Sequence, residues 1–283
     1  MPSSNVPDVL LGRRLHGDDL DEPGLQKWFA DEQNGYADLV GSVGETEVGD
    51  DFGPADGSAT PANRFHAFAH LPNRRFARCL ALGAASGREY APLAGRVDRF
   101  VAIEPGRRFW RPTIAGAPAE YRTPTLRGTL DLADGSCDLA CSFGVLHHIA
   151  NVGEVLAEVA RVLAPGAPLL VREPITSLGD FRGPRRGLTR NERGIPHAMM
   201  DRLLAQAGFA VVSRRFVNFP GTRELPARLG LRNAWDNPLI ARIDAALGWA
   251  MAWNARYWRP RLIDKLAPRS AYWVATRLPS ALP

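Results

Sequence analysis

Lysine is almost missing from this sequence: of 35 basic residues, only Lys27 and Lys265 are lysines, and the rest are arginines. Either composition bias or a working arginine surface produces that ratio. Cysteine is scarce too. Cys79, Cys137 and Cys141 are too few for a disulfide framework in 283 residues and lack the Cys-x-x-Cys spacing of a zinc site. All three sit in apolar stretches, which predicts buried thiols in a reducing, cytoplasmic setting. Long apolar runs are also lacking. The longest, Ala245 to Trp253, is nine residues, against about 20 for a bilayer-spanning helix. The first residues, MPSSNVPDVLLGRRLHGDD, have no apolar core of signal-peptide length, so neither a membrane span nor export is expected.

What is abundant is charge unevenly placed. The net charge of +5 hides 13 acids against three bases in residues 1–63, and six acids against 18 bases in residues 181–283. An acidic head and a basic tail nearly cancel.

Leu25, Trp28, Phe29, Tyr36 and Leu39 recur at helical spacing and predict an amphipathic helix over 24–40. Residues 41–61 are rich in Gly, Asp, Glu and Thr and read as an acidic linker, so that 1–61 forms a helical cap and linker and 62–283 the main domain. From Phe76 onward, short apolar strands alternate with helical patterns. Strands are expected at 76–83, 99–104, 119–126, 137–143, 167–173, 210–217 and 270–277, with helices after Gly83 and over 151–166 and 197–209. Such alternation predicts a Rossmann-like, doubly wound α/β sheet. Residues 218–269, with four of the seven tryptophans among arginines, form a helical insert before the last strand.

A strand, a small-residue loop and a helix let backbone approach a ligand closely. Here the loop is Gly83-Ala84-Ala85-Ser86-Gly87, and Glu104 lies 21 residues beyond Gly83, where a carboxylate suits ribose hydroxyls. This much also fits a nicotinamide-binding protein. The run Leu130-Asp131-Leu132-Ala133-Asp134-Gly135-Ser136-Cys137-Asp138-Leu139, continuing Ser142-Phe143-Gly144-Val145-Leu146-His147-His148-Ile149, goes further. With Ala164-Pro165-Gly166 and Ala207-Gly208-Phe209, it resembles the class I S-adenosylmethionine-dependent methyltransferases over about residues 76–217 and the last strand.

That resemblance implies seven strands with the last antiparallel, and S-adenosylmethionine as cofactor. It implies that Gly83, Ala84, Ala85 and Gly87 border the methionine part of the cofactor, and that Glu104 and Pro105 meet the ribose. Leu130 and Asp131 would lie near the adenine and Phe143 beside the sulfonium. The sequence departs from the family pattern at Ala81, where an acid is usual, at Ala85, in place of the middle loop glycine, and at Leu126, where an acid is expected near the adenine. The alternative reading is therefore a non-catalytic Rossmann-like binding protein with a degenerate loop.

For a hydroxyl acceptor, methyl transfer needs alignment and a base. His147 and His148, just past the fourth strand, carry the only side chain that titrates near neutrality unperturbed; each either acts as that base or packs under the next helix. Arg182, Arg185, Arg186 and Arg193 follow the fifth strand, with His197 beyond them, and together they suggest an anionic small molecule or glycan acceptor, methylated on oxygen. The opposing reading pairs these arginines with the acidic head. No metal is expected, and a nucleic-acid substrate is disfavoured because no Asn/Asp-Pro-Pro-aromatic motif follows the fourth strand. The aromatic and basic 235–261 stretch is either core or a peripheral membrane contact.

Overall fold

The computed structural model describes residues 7–43, 60–185, 187–222, 225–226 and 237–279. The bulk of the expected acidic linker, and Arg186 and Trp235, lie outside the described residues. Eight strands form one sheet in the order β3-β4-β2-β1-β5-β6-β8-β7. These are β1 (Cys79–Leu82), β2 (Phe100–Ile103), β3 (Thr113–Ile114), β4 (Ala117–Arg122), β5 (Leu139–Phe143), β6 (Pro168–Pro174), β7 (Phe209–Val217) and β8 (Ser270–Arg277). Strands β4, β2, β1, β5 and β6 are parallel, whereas β8 runs antiparallel between β6 and β7. This is the expected doubly wound sheet with one addition. The two-residue β3 folds back on β4 through Ala115 and Gly116, both at positive φ, the geometry of a tight hairpin.

The central strands are mostly apolar because both faces are covered, with Arg172 and Glu173 at the end of β6 as charged exceptions. Every residue of β1, β2, β5 and β6 is buried. Leu80, Leu82, Val101 and Trp273 face one layer, where α3 (Val152–Val162) and α4 (His197–Gln206) pack; Cys79, Ala81, Phe100 and Tyr272 face the other. All three cysteines are buried and free.

One expected helix is absent. After β1 the chain forms a 3₁₀ turn over Arg88–Leu93 in place of an α-helix. Pro92 sits inside this turn, where an α-helix would lose an amide bond and clash with the ring, a penalty of about 3 kcal/mol.

The amino-terminal helix α1 spans Glu22–Val43 and starts at Asp21, whose carboxylate accepts the Gly24 amide at 3.0 Å. A second short helix, α2 (Thr60–His66), precedes β1. The insert forms α5 (Pro238–Ala250), begun by Asn237 accepting the Leu239 and Ile240 amides. Ala241, Asp244 and Gly248 turn inward, and an added Cβ on Gly248 would stand 2.4 Å from the Phe216 carbonyl oxygen on β7.

That approach makes Gly248→Ala an overpacking substitution. We expect it to lower stability by about 1–3 kcal/mol in urea unfolding, whereas Gly183→Ala, with open space around the position, leaves the midpoint unchanged.

Candidate active site

A cavity of about 550 Å³ opens at the carboxyl ends of β1, β2, β4 and β5, where open α/β sheets bind ligands. Its floor is Leu82, Gly83, Ile103, Gly144 and Val145, and its far wall is Pro124, Thr125, Leu126 and Leu130. The roof is α1, which contributes Leu25, Trp28, Phe29, Glu32 and Gln33.

Gly83 holds φ +56, and a Cβ there would overlap the Val145 side chain at 2.3 Å, so loop and β5 turn approach only through glycine. Ala85 adopts φ +41, the left-handed region of the glycine it replaces, despite the cost of its Cβ. Two bonds hold it there: its amide donates to Glu104 Oε2 at 2.9 Å, and its carbonyl accepts from the Tyr121 hydroxyl at 2.8 Å. Glu104 Oε1 accepts the Gly106 amide at 2.8 Å. Burial pushes the Glu104 carboxyl above its ordinary range, against these two amides and the Arg108 charge. Glu158 and Arg161 of α3 hold Leu130 in the wall. The Leu130 amide donates to Glu158 Oε1 at 2.7 Å, and Arg161 donates to the Leu130 carbonyl at 2.9 Å.

Beyond β5 the chain turns over Leu146–His148. The buried Glu173, at the end of β6, caps that turn, accepting the amides of Val145 at 2.9 Å and Leu146 at 2.7 Å. Its other oxygen meets His147 Nδ1 at 2.7 Å, and His147 Nε2 lies 3.6 Å from Glu192. Burial alone would lower the His147 pKa, but the two carboxylates outweigh it and raise the value from 6.5 to about 10. Glu192 is held down at about 2, burial being overcome mainly by the bond to His147.

His147 is therefore a buried imidazolium with both nitrogens engaged, which removes it as a candidate base. Atoms of His147, His148 and Glu192 lie within 4.8 Å of one another.

His148 differs. It lines the cavity, and its Nδ1 lies 2.8 Å from Glu32 Oε2 of α1. Glu32 also accepts from the Thr189 hydroxyl at 2.5 Å and the Asn191 amide at 2.8 Å. Among the described residues nothing bonds His148 Nε2. A carboxylate on Nδ1 selects the tautomer whose lone pair is on Nε2, so the pair has the form of an oriented base. The roof is pinned beside it: Trp28 Nε1 donates to the His148 carbonyl at 2.7 Å, and the Arg193 guanidinium stacks 5.4 Å from the Trp28 ring.

Of the expected cofactor residues, Gly83, Ala85, Glu104, Pro105 and Leu130 line the cavity. Ala84 and Gly87 lie beside it without lining it, and Asp131 points to solvent. Phe143 faces the opposite layer, 5.5 Å from Phe68, because side chains alternate along β5 and the next cavity-facing positions are Gly144 and Val145.

Among the described residues, the expected arginine site does not assemble. Arg182 pairs with Asp180 at 2.5 Å; Arg185 donates to the carbonyls of Leu178, Thr189 and Arg190; the fully buried Arg193 donates to those of His16, Leu146, His147 and Ile149. None of these lines the cavity, nor does the half-buried His197, which packs edge-on against Phe216. The cavity's own bases are Arg107 and Arg108 after β2.

Sequence reasoning missed these two and Glu32. The signal for Glu32 was present: it falls on the same helical stripe as Leu25, Trp28 and Phe29, an acid on an apolar face.

Residues 80–171 match the family model described as a methyltransferase domain, Methyltransf_11. The fold is shared with a 1,6-didemethyltoxoflavin-N1-methyltransferase of Burkholderia thailandensis, solved with 1,6-didemethyltoxoflavin and S-adenosylhomocysteine bound (TM-score 0.54, 18% identity, 92% of each chain covered). It is shared as well with an S-adenosylmethionine-dependent methyltransferase of Mesorhizobium loti (0.51, 16%, 76% of this chain and 98% of that one), and with the [4+2]-cyclase SpnF (0.53, 16%, 88% and 97%). A transposon-encoded protein of Streptomyces fradiae is 38% identical over 93 residues, which span 29% of this chain and 27% of that relative. Sheet order and cavity position are those of the class I methyltransferase fold, and residues 80–171 match the methyltransferase-domain model.

The sign of the His147 and Glu192 shifts sets a pH window. A raised histidine pKa stabilises fully below about 6.5 and loses its effect as pH rises through about 10; the lowered Glu192 loses its effect as pH falls from 4.5 through about 2. Replacing His147 strands Glu173, so His147→Gln is expected to cost about 3–5 kcal/mol in urea unfolding. In the variant, the decline of stability between pH 6.5 and 10 flattens.

Proposed function

We propose that this protein transfers a methyl group from S-adenosylmethionine to a hydroxyl of a small-molecule acceptor. The observation that carries the reading is the Glu32–His148 pair at the cavity wall opposite the Gly83 loop. The residues present suit the cofactor. A cavity of about 550 Å³ falls within the roughly 300–1,000 Å³ of small-molecule sites. Gly83 and Ala85 keep the loop backbone open, and each Glu104 oxygen retains a lone pair beyond its amide bond for ribose hydroxyls. Leu126 and Leu130 offer an apolar wall to the adenine, and Arg107 and Arg108 stand at the mouth.

When bound, the cofactor supplies an electrophilic methyl group. The chain's part is positioning and proton removal. Trp28, Phe29 and Leu25 exclude water from above. His148 Nε2 takes the acceptor proton, and Glu32 stabilises the imidazolium that forms. Arg182, Arg185 and Arg193 are engaged elsewhere, so the acceptor reading rests on this pair and does not require an anion.

Calorimetry with S-adenosylmethionine, S-adenosylhomocysteine and NADH tests the cofactor: binding of both sulfur compounds and not of NADH is expected, and failure of both to bind at millimolar concentration defeats the reading. With an acceptor from a hydroxyl-compound screen, His148→Gln is expected to lower kcat about 10²–10⁴-fold while S-adenosylhomocysteine still binds. Glu32→Gln should lower kcat less and change its pH profile. An unaltered profile in both variants would exclude the pair as the base.

A further inference from the structure

The insert between β7 and β8 is built inside out. Helix α5 presents only Ala241, Asp244 and Gly248 to the body of the protein. Its outward face carries Leu239, Ile243 and Leu247, all exposed. Directly after them, Trp249 is 80% exposed, Trp253 72% and Leu262 82%. Soluble helices place such residues inward, and contiguous exposed apolar surface marks an interaction site.

Charge is sorted with equal consistency. Within residues 237–269 the acids are Asp244 and Asp264, and both are buried and internally bonded. Asp244 accepts the amides of Asn218 and Phe219 and the Thr222 hydroxyl at 2.6–2.8 Å. Asp264 accepts the Arg261 amide at 3.1 Å and lies 3.8 Å from Arg256. Every exposed charged side chain of the segment is basic: Arg242, Arg256, Arg261 and Lys265.

We infer that this face docks on an anionic lipid surface, with Trp249, Trp253 and the leucines entering the headgroup–acyl boundary and the four bases meeting lipid phosphates. Aromatic and aliphatic side chains flanked by bases are the chemistry of an interfacial helix. The charge sorting selects the occupant. A two-fold dimer through this face would set the same basic residues against themselves, with no exposed acid of the segment to offset them. Protruding leucine and isoleucine side chains gain little against a polyanion that has no apolar depth. The buried Asp244 and Asp264 keep the fold of the segment while leaving its surface free of negative charge. The inference is independent of methyl transfer, since none of these residues lines the cavity.

Co-sedimentation with vesicles tests it, using phosphatidylcholine alone and phosphatidylcholine containing about one-third phosphatidylglycerol. The wild-type protein is expected to pellet with the anionic vesicles and not with the neutral ones, less so as salt is raised. Paired replacement of Trp249→Ala and Trp253→Ala, or of Arg242→Glu and Arg261→Glu, should weaken this by about tenfold or more, with melting temperature and S-adenosylhomocysteine response unchanged. Tryptophan quenching by vesicles with brominated acyl chains gives a second readout on the wild-type chain that needs no variant. No partition into anionic vesicles at low salt, or no quenching on partition, overturns the proposal. So does a dimer in sedimentation velocity that the tryptophan pair variant dissociates while vesicles go unbound, which would assign the face to a second copy.

Discussion

The cavity end of this molecule depends on a buried carboxylate bonded to a turn of backbone amides and to an imidazole. Glu173 ends β6 in the middle of the sheet and is fully enclosed. A lone buried charge costs several kcal/mol, and the surrounding chain answers with two amides at 2.7–2.9 Å and the His147 imidazolium at 2.7 Å. Because the partners are backbone amides of the turn after β5, satisfying the charge fixes the turn. Val145 is thereby set against Gly83, and His148 is aimed at the roof. Glu192 completes the balance from the loop after β6.

Arg193 extends that constraint to the roof. Its four carbonyl partners lie in the amino-terminal segment and in the His147–His148 turn, and its guanidinium plane stacks on Trp28. Helix α1, some 116 residues before His148 in the chain, is pinned by Trp28 to the same turn whose imidazole Glu32 orients. Covering the cavity and orienting the His148 imidazole are thus one packing event. If α1 lifts, the cavity opens and His148 loses its carboxylate together.

The sheet was legible in the sequence because its signals are local: mostly apolar strands with both faces covered, Pro-Gly after α3, and small residues after β1. The cavity lining at Gly83 and Glu104 was legible for the same reason, since the two residues follow adjacent strands. Phe143 was misplaced by one pleat, as period-two alternation exchanges faces with each residue. The arginines after β6 were misread because residue type announces charge and not partner. In Arg185 and Arg193 the guanidinium fork serves backbone carbonyls, a use that sequence patterning does not distinguish from substrate binding. The Glu32–His148 pair was half legible: His148 stood out as titratable, but its partner comes from a helix joined to it only by tertiary packing.

The acidic head and basic tail have different physical roles rather than one shared role. Helix α1 meets the Leu146–His148 turn through Glu32, and the contact is between a carboxylate, an imidazole, a hydroxyl and an amide; of the described arginines after β6, Arg190 lies 3.9 Å from Asp31 and Arg193 reaches the head through the His16 carbonyl and the Trp28 ring. In the tail, Asp244 and Asp264 face inward and every exposed charge of residues 237–269 is positive, which a merely solvated insert would have no reason to maintain. Gly248 shows that the arrangement is seated: only a glycine lets α5 lie this close to the β7 backbone. A helix held so firmly by its small residues, with its large ones outside, has its apolar face fixed in orientation, as a docking surface requires and a packing accident does not.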